Sequence, residues 1–109
     1  MSALERGAVV EYPAIFAFES YPRPYLIASG GAHPFHGEEY VGLAITTTDL
    51  DPTMPIDDDA WVHGSLPKRS FIKPWQPTLL KHDDIVDAFG LLRLSVVDRA
   101  TAELATVLE

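Results

Sequence analysis

The sequence predicts a mainly β fold, a small and strongly curved β-barrel closed by one C-terminal α-helix. Nine prolines and seven glycines fall within the first ninety residues and divide the chain into short apolar pieces, which is typical of short strands joined by tight turns. The spacing of apolar residues becomes helical only in the last segment, which disfavours a parallel α/β arrangement. The length of 109 residues is the ordinary size of one domain, so we expect a single domain over 1–109.

Five segments are predicted to be strands because they are short, rich in β-forming residues and bounded by turn residues. They are Ala8–Tyr12, Tyr25–Ser29, Tyr40–Thr47, Ser70–Lys73 and Ile85–Phe89. Residues 15–18 continue the first strand or form a loop after Pro13, because proline interrupts a strand or marks an edge. The segment Asp49–Asp59 contains five aspartates and two prolines and is predicted to be an exposed acidic loop.

A helix is predicted from about Val96 to Leu108, where apolar residues recur at helical spacing. Ser95 is a residue type that favours the N-cap position, and Asp98 follows three residues later in a pattern close to a capping box. Strands first and one helix last predict a barrel with the helix on one side.

The net charge of −8 would repel a polyanion at long range. A carboxylate-rich surface with three lysines also suits a very salty cytoplasm, where screening shortens the reach of that charge. The chain has no cysteine, which excludes disulfide and thiolate chemistry. No apolar run approaches the roughly 20 residues of a membrane helix, and the first residues lack a signal-peptide pattern. We therefore expect a soluble, cytoplasmic protein with no membrane partner.

The charge is unevenly distributed, because residues 60–81 contain no carboxylate. This stretch combines cationic with aromatic side chains: Lys68, Arg69, Lys73, Lys81, Trp61, Phe71 and Trp75. Interleaved basic and aromatic residues can hold phosphates and stack bases. The alternative is a solvated pair of strands whose aromatic side chains face the core, and the sequence leaves both interpretations open.

Two further patterns point to anion binding. Arg23 lies between Pro22 and Pro24, which restrict the backbone on either side, and its guanidinium offers five donors in a rigid fork that fits a phosphate or carboxylate. Thr46 and Thr48 share one face at the end of a predicted strand, where hydroxyl groups can donate to a phosphoryl oxygen. Each pattern also has a plain structural explanation, namely a surface arginine in a proline-rich turn and ordinary β-propensity.

Taken together, the order of these motifs resembles the MazF/PemK toxin-like family. The matching segments are Arg6-Gly7 before an apolar strand, Arg23-Pro24 before an aliphatic strand, the strand end Ile45-Thr46, Lys68–Ile72 with its serine, and Gly90–Ser95 before the terminal helix. The resemblance implies an SH3-like β-barrel that dimerises. It also implies a metal-independent endoribonuclease of the mRNA interferase type, which cleaves single-stranded RNA without a cofactor and is blocked by a cognate antitoxin protein.

The resemblance also implies roles for individual residues. Arg23 matches the active-site arginine and Thr46 the active-site threonine, and Glu19 matches an acidic position that could serve as the base. In the implied reaction the ribose 2′-hydroxyl attacks the adjacent phosphate, whose developing charge Arg23 and Thr46 would stabilise. The candidate RNA-binding residues are Ser70, Thr48, Lys68, Arg69 and Lys73.

Two other functions remain open. The same barrel could be a noncatalytic binding module, in which case Arg23 and Thr46 need not converge. Alternatively, His33 and His36 with Glu38 or Glu39 could hold a metal ion such as zinc, although a surface loop is the simpler interpretation of that segment. His63 and His82 have no evident partners and are predicted to lie at the surface. Candidate side chains for a dimer interface are Tyr12, Phe16, Phe18 and the C-terminal helix.

Overall fold

A computed structural model of the chain describes residues 2–13 and 21–109. Within them, one antiparallel sheet of seven strands has the order β4-β6-β3-β2-β1-β7-β5. The strands are β1 Ala8–Tyr12, β2 Arg23–Ile27, β3 Glu39–Thr46, β4 Met54–Ile56, β5 Trp61–Gly64, β6 Ser70–Lys81 and β7 Asp87–Leu92. The helix α1 spans Leu94–Val107. The predicted fold class, a small mainly β barrel with a C-terminal helix, is confirmed as a curled half-barrel.

The sheet curls because its ladders are interrupted by bulges. The pairing of β3 with β6 shifts between Leu43 and Ile45, and the pairing of β1 with β7 shifts between Val9 and Val10. Bulges bend a strand and increase its twist. β5 approaches β7 so closely that Gly64 and Gly90 lie opposite each other, where neither can carry a side chain without meeting backbone atoms.

Apolar side chains pack on both faces of the sheet. On one face, Val9, Leu26 and Leu43 pack with Val97 and Ala100 of α1. On the other face, a second cluster contains Val10, Tyr12, Tyr25, Ile27, Tyr40, Ala44 and Leu80. We call these the helix-side core and the tyrosine-side core, and the site described below lies at the rim of the second.

The Arg6-Gly7 motif has a structural role. Arg6 donates from Nε to the Ala28 carbonyl oxygen at 2.9 Å and from Nη1 to Asp98 Oδ1 at 2.9 Å, so it ties the end of β2 to α1. Gly7 has a φ of 105°, which side chains rarely adopt. The motif therefore fixes the start of the barrel against its helix.

His82 is a correction to the sequence-based expectation, because its side chain is buried. Its Nδ1 lies 2.6 Å from the Tyr40 hydroxyl oxygen, which also accepts the Leu4 backbone N–H at 3.0 Å. A single histidine in an acidic turn gives no sign of burial, since the partner tyrosine lies 42 residues away in the chain. His63 is exposed, as predicted.

Several element boundaries differ from the prediction. The acidic segment 49–59 is not wholly a loop, because Met54 and Ile56 form the edge strand β4 and are buried in the helix-side core. Pro55 between them is exposed, as an edge strand permits. β6 continues past Pro74 to Lys81, because Pro74 lies where the pairing with β3 is interrupted, between Ile72 and Pro77.

The helix begins earlier than predicted, and its N-cap is Arg93 without a side-chain cap hydrogen bond. Ser95 lies inside the first turn, and Asp98 is engaged by Arg6 instead of a capping box. The start of the helix is therefore accompanied by an ion pair with a distant residue and not by the predicted capping box. None of the helices in the described part of the chain has the length and apolar character needed to cross a membrane.

The close approach of β5 and β7 generates a stability prediction. A Cβ atom on Gly90 would lie 2.7 Å from the Gly64 Cα and would also meet the His63 carbonyl oxygen, so Gly90→Ala should lower the free energy of unfolding by about 2 kcal/mol or more. Gly31 has nothing within 4 Å of the same position, and Gly31→Ala should change it by less than about 0.5 kcal/mol. Urea unfolding followed by tryptophan fluorescence measures both, and equal effects of the two variants would contradict this packing.

Candidate RNA-cleavage site

Arg23 begins β2 and Thr46 ends β3, and because these two strands are antiparallel neighbours, both residues lie at the same end of the sheet. Tyr12 pairs with Arg23, and Thr46 pairs with Phe71, which in turn pairs with Pro55. The recorded β2–β3 ladder ends at Tyr25 and Ala44, and two further steps in the same register place Arg23 opposite Thr46. Directly opposed side chains lie on the same face with Cβ atoms about 5 Å apart. We call these five residues the cross-strand row.

Arg23 is half-buried and has no carboxylate partner within residues 2–13 and 21–109. Its guanidinium carbon lies 4.6 Å from the centre of the Tyr21 ring, within the usual range of a cation–π contact. Among residues 2–13 and 21–109, its buried Nε has no hydrogen-bond partner and the side chain forms no ion pair. A desolvated cation without a counter-charge is costly, so this position favours binding of an anion.

Thr46 is half-buried at the last position of β3. Its Oγ1 accepts the backbone N–H of Thr48 at 3.1 Å, which uses a lone pair of the oxygen and leaves the hydroxyl proton to be donated. Thr48 itself is exposed in the turn that follows. The Thr46 hydroxyl is thus held in place by its own turn beside the predicted position of Arg23.

Two cations extend the site along β6. Arg69 is exposed, and its guanidinium carbon lies 5.5 Å from the centre of the Phe71 ring, next to Thr46 in the cross-strand row. Its contact with Asp57 is long, at 4.0 Å between two exposed side chains, and such a pair contributes little. Lys73 follows Phe71 by two residues, which places it on the same face of the strand.

Ser70 faces the core. Its side chain is buried opposite Ile56 of β4, and its Oγ donates to the Lys68 carbonyl oxygen at 2.8 Å. The hydroxyl proton is therefore used within the turn that carries Lys68 and Arg69. This geometry gives Ser70 a role in shaping that turn, whereas its contact with RNA stays a prediction.

A groove of about 660 Å³ lies beside this turn. Its lining combines apolar Trp61 and Leu66 with Lys68 and Arg69, and it includes carboxylates. Arg23 and Thr46 do not line the groove, and the turn at Arg69 separates it from the cross-strand row. The exposed Lys68 thus belongs to the groove, while Arg69 borders both features.

The histidine loop does not form a metal site. His33 Nδ1 accepts the Phe35 backbone N–H at 3.0 Å, and the His36 ring packs edge-on against Tyr40 with centroids 5.7 Å apart. Residues 2–13 and 21–109 contain no group of three or more His, Asp or Glu side chains placed to hold a metal ion. The loop also adjoins the Glu39 end of β3, whereas Thr46 is at the other end.

The remaining expectations concern the candidate base and the dimer interface. Glu19, Phe16 and Phe18 lie outside the described residues, so the base and two of the interface candidates stay predictions. Tyr12 is buried in the tyrosine-side core, and its hydroxyl accepts the Lys81 backbone N–H at 2.9 Å, which removes it from the exposed surface of the chain. The contact of the Tyr21 ring with Arg23 was not predicted, because Tyr21 lies in a bend before β2, where the two-residue periodicity of a strand does not apply.

Two solved structures share this architecture. One is an endoribonuclease from a mycobacterial species in complex with its cognate antitoxin, 22% identical, with 99% of this chain and 95% of that chain covered and a TM-score of 0.73. The other is an endoribonuclease from a mycobacterial species, 24% identical, with 99% and 93% covered and a TM-score of 0.66. The chain has the fold of these endoribonucleases. No protein-family model and no curated protein matches the sequence.

These similarities confirm the fold that the MazF/PemK resemblance implied. Both structures match over nearly the whole chain, so the match extends over the sheet and the terminal helix. At these identities the likeness concerns the backbone, and the assignment of side chains to a reaction depends on the geometry of the site itself.

The two arginines of the barrel allow a direct test of this assignment. Arg6 is tied to the end of β2 and to α1, so Arg6→Ala should lower the free energy of unfolding by about 1 to 2 kcal/mol. Arg23 has no hydrogen bond or ion pair within the described ranges, so Arg23→Ala should change it by less than about 0.5 kcal/mol. Urea unfolding compares the two variants. A large loss for Arg23→Ala would show that this arginine is structural.

Proposed function

We propose that this chain is a metal-independent endoribonuclease of the toxin type that cleaves single-stranded RNA. The observation that supports the proposal is the β2–β3 register. Its continuation by two steps would set Arg23, which has no carboxylate partner within residues 2–13 and 21–109, opposite the Thr46 hydroxyl. A guanidinium and a hydroxyl on one face supply the donors that a phosphodiester needs as negative charge develops on its oxygens.

The proposed reaction uses the RNA's own nucleophile. The ribose 2′-oxygen forms a bond to the adjacent phosphorus, and the bond from phosphorus to the 5′-oxygen breaks. The 2′-hydroxyl proton passes to a base, for which Glu19 is the candidate from the family resemblance, and the departing 5′-oxygen takes up a proton, for which Arg23 is a candidate donor. Arg23 and Thr46 hydrogen-bond the nonbridging oxygens, so the charge stabilisation comes from side chains. The products are a 2′,3′-cyclic phosphate and a 5′-hydroxyl.

Placement of charge supports RNA binding despite the net charge of −8. Arg69 and Lys73 lie next to the cross-strand row, in the turn before β6 and on β6, while Lys68 lines the groove on the other side of that turn. Thr48 follows two residues after Thr46. Cations that contact phosphates release counter-ions from the RNA, which gives a favourable term that salt weakens. We propose that the RNA backbone runs from Arg23 along β6 toward the groove beside Lys68, with Ser70 shaping the turn.

A cognate antitoxin and a second copy of the chain are proposed as protein partners. The support for an antitoxin is the mycobacterial endoribonuclease of the same fold, which was solved with its cognate antitoxin. The support for a homodimer is the family resemblance together with exposed apolar side chains on the helix, namely Leu94, Val107 and Leu108. Both partners are expected if the chain is an endoribonuclease of the toxin type.

The proposal predicts RNA cleavage that depends on Arg23 and Thr46. A long single-stranded RNA is incubated in EDTA at low and at molar potassium chloride with wild type, Arg23→Ala and Thr46→Ala. Each substitution removes donors from the phosphate and should slow cleavage about a hundredfold or more. Arg99→Ala is the matched control, because this exposed arginine lies on α1, which packs on the helix-side core and not on the face of the cross-strand row.

The outcomes separate the candidate functions. Cleavage by wild type and Arg99→Ala that both site variants lose, with unchanged circular dichroism, supports the ribonuclease. Absence of wild-type cleavage at either salt concentration would favour a noncatalytic binding module on the same barrel. Cleavage that survives Arg23→Ala would show that this site is not the one that acts.

A further inference from the structure

The environment of Tyr21 is unusual for a large aromatic side chain. Its ring is 56% exposed, and the Arg23 guanidinium lies over it at 4.6 Å. Pro22 separates the two residues and restricts the backbone between them. In the described ranges, no other ring or cation contact is recorded for Tyr21.

A ring contact holds a guanidinium differently from hydrogen bonds. All five N–H donors of arginine lie in the guanidinium plane, and a contact between the guanidinium carbon and a ring restrains the group without occupying a donor with a hydrogen bond. Arg6 shows the contrast, because its Nε and Nη1 donate to Ala28 and Asp98. Arg6 is fixed by hydrogen bonds from its donors, whereas within residues 2–13 and 21–109 Arg23 contacts a ring and its buried Nε has no hydrogen-bond partner.

The exposed part of the Tyr21 ring offers a second contact. Unpaired RNA bases stack on aromatic side chains with little dependence on base identity. A phosphate held by Arg23 and Thr46 would bring the neighbouring nucleoside next to this ring. In a duplex that base is already stacked and paired, so this contact favours single strands.

We propose that Tyr21 positions the Arg23 guanidinium and stacks against the nucleobase next to the scissile phosphate. This inference rests on the proposed ribonuclease function and specifies how its site selects unpaired RNA. Tyr21 thereby combines two roles in one ring, orientation of the phosphate-binding arginine and recognition of an unstacked base.

The test compares Tyr21→Ala, Tyr21→Phe and Tyr21→Leu on a short RNA that contains a cleavage site mapped with wild type. Tyr21→Ala should raise KM about tenfold through lost stacking and should also lower kcat, because the arginine loses its restraint. Tyr21→Phe should restore both constants, while Tyr21→Leu should leave KM raised, since leucine has bulk without a π-face. Phe35→Ala is the matched control, because Phe35 is 55% exposed and lies in the histidine loop at the other end of β3.

A second substrate isolates the stacking contact. With wild type, an RNA that has an abasic ribose next to the scissile phosphate should be cleaved with a kcat/KM about tenfold lower than the intact RNA. With Tyr21→Ala the abasic RNA should show little further loss, because this variant has already lost the stacking contact. An equal abasic penalty in both proteins would overturn the stacking role. Wild-type constants for Tyr21→Ala, or failure of Tyr21→Phe to restore them, would overturn the inference as a whole.

The outcome is distinguishable from failure of the proposed function. If wild type cleaves and Arg23→Ala does not, the ribonuclease stands and only the Tyr21 results decide this inference. If wild type does not cleave, or Arg23→Ala cleaves normally, the proposed function is wrong and the role of Tyr21 is overturned with it.

Discussion

The register between β2 and β3 is the constraint on which the candidate site depends. Leu26 pairs with Leu43, and both side chains are fully buried in the helix-side core. Because successive side chains in a strand point to opposite faces, a slip of one residue would move the buried leucine of one strand to the tyrosine-side face and its site residue to the helix-side face. The burial of two leucines therefore also favours the proposed opposition of Arg23 and Thr46, two steps beyond the last pair of the ladder. The packing of the core therefore constrains which side chains can meet at the site.

The positions of the charged side chains matter more for this site than the net charge of the chain does. The net charge is −8, yet within residues 2–13 and 21–109 Arg23 forms no ion pair, and the ion pair of Arg69 with Asp57 is a long one at 4.0 Å. Arg6 is instead saturated by partners on β2 and α1. Two arginines of one barrel thus differ in their surroundings, because within the described residues Arg6 donates hydrogen bonds and Arg23 does not.

Local patterns predicted the elements that depend on local physics. The first strand, Ala8–Tyr12, was predicted with its observed bounds, because its apolar run ends at a proline. Elements held by distant contacts were less predictable. The sequence did not indicate β4, because its buried residues Met54 and Ile56 lie in an aspartate-rich segment. It also did not indicate the burial of His82, because that burial depends on Tyr40 from another part of the chain. For the site, residue order identified Arg23 and Thr46, but their opposition required the register, which the sequence does not encode locally.

A double-mutant cycle on RNA cleavage tests most directly whether Arg23 and Thr46 act on one phosphate. Single-turnover rates in EDTA are compared for wild type, Arg23→Ala, Thr46→Ala and the double variant. Side chains that bind the same group are strongly coupled, so the double variant should be little slower than the slower single variant, with a coupling energy above about 1 kcal/mol. If the two losses instead multiply, the side chains act independently, and the account of a shared phosphate site is contradicted.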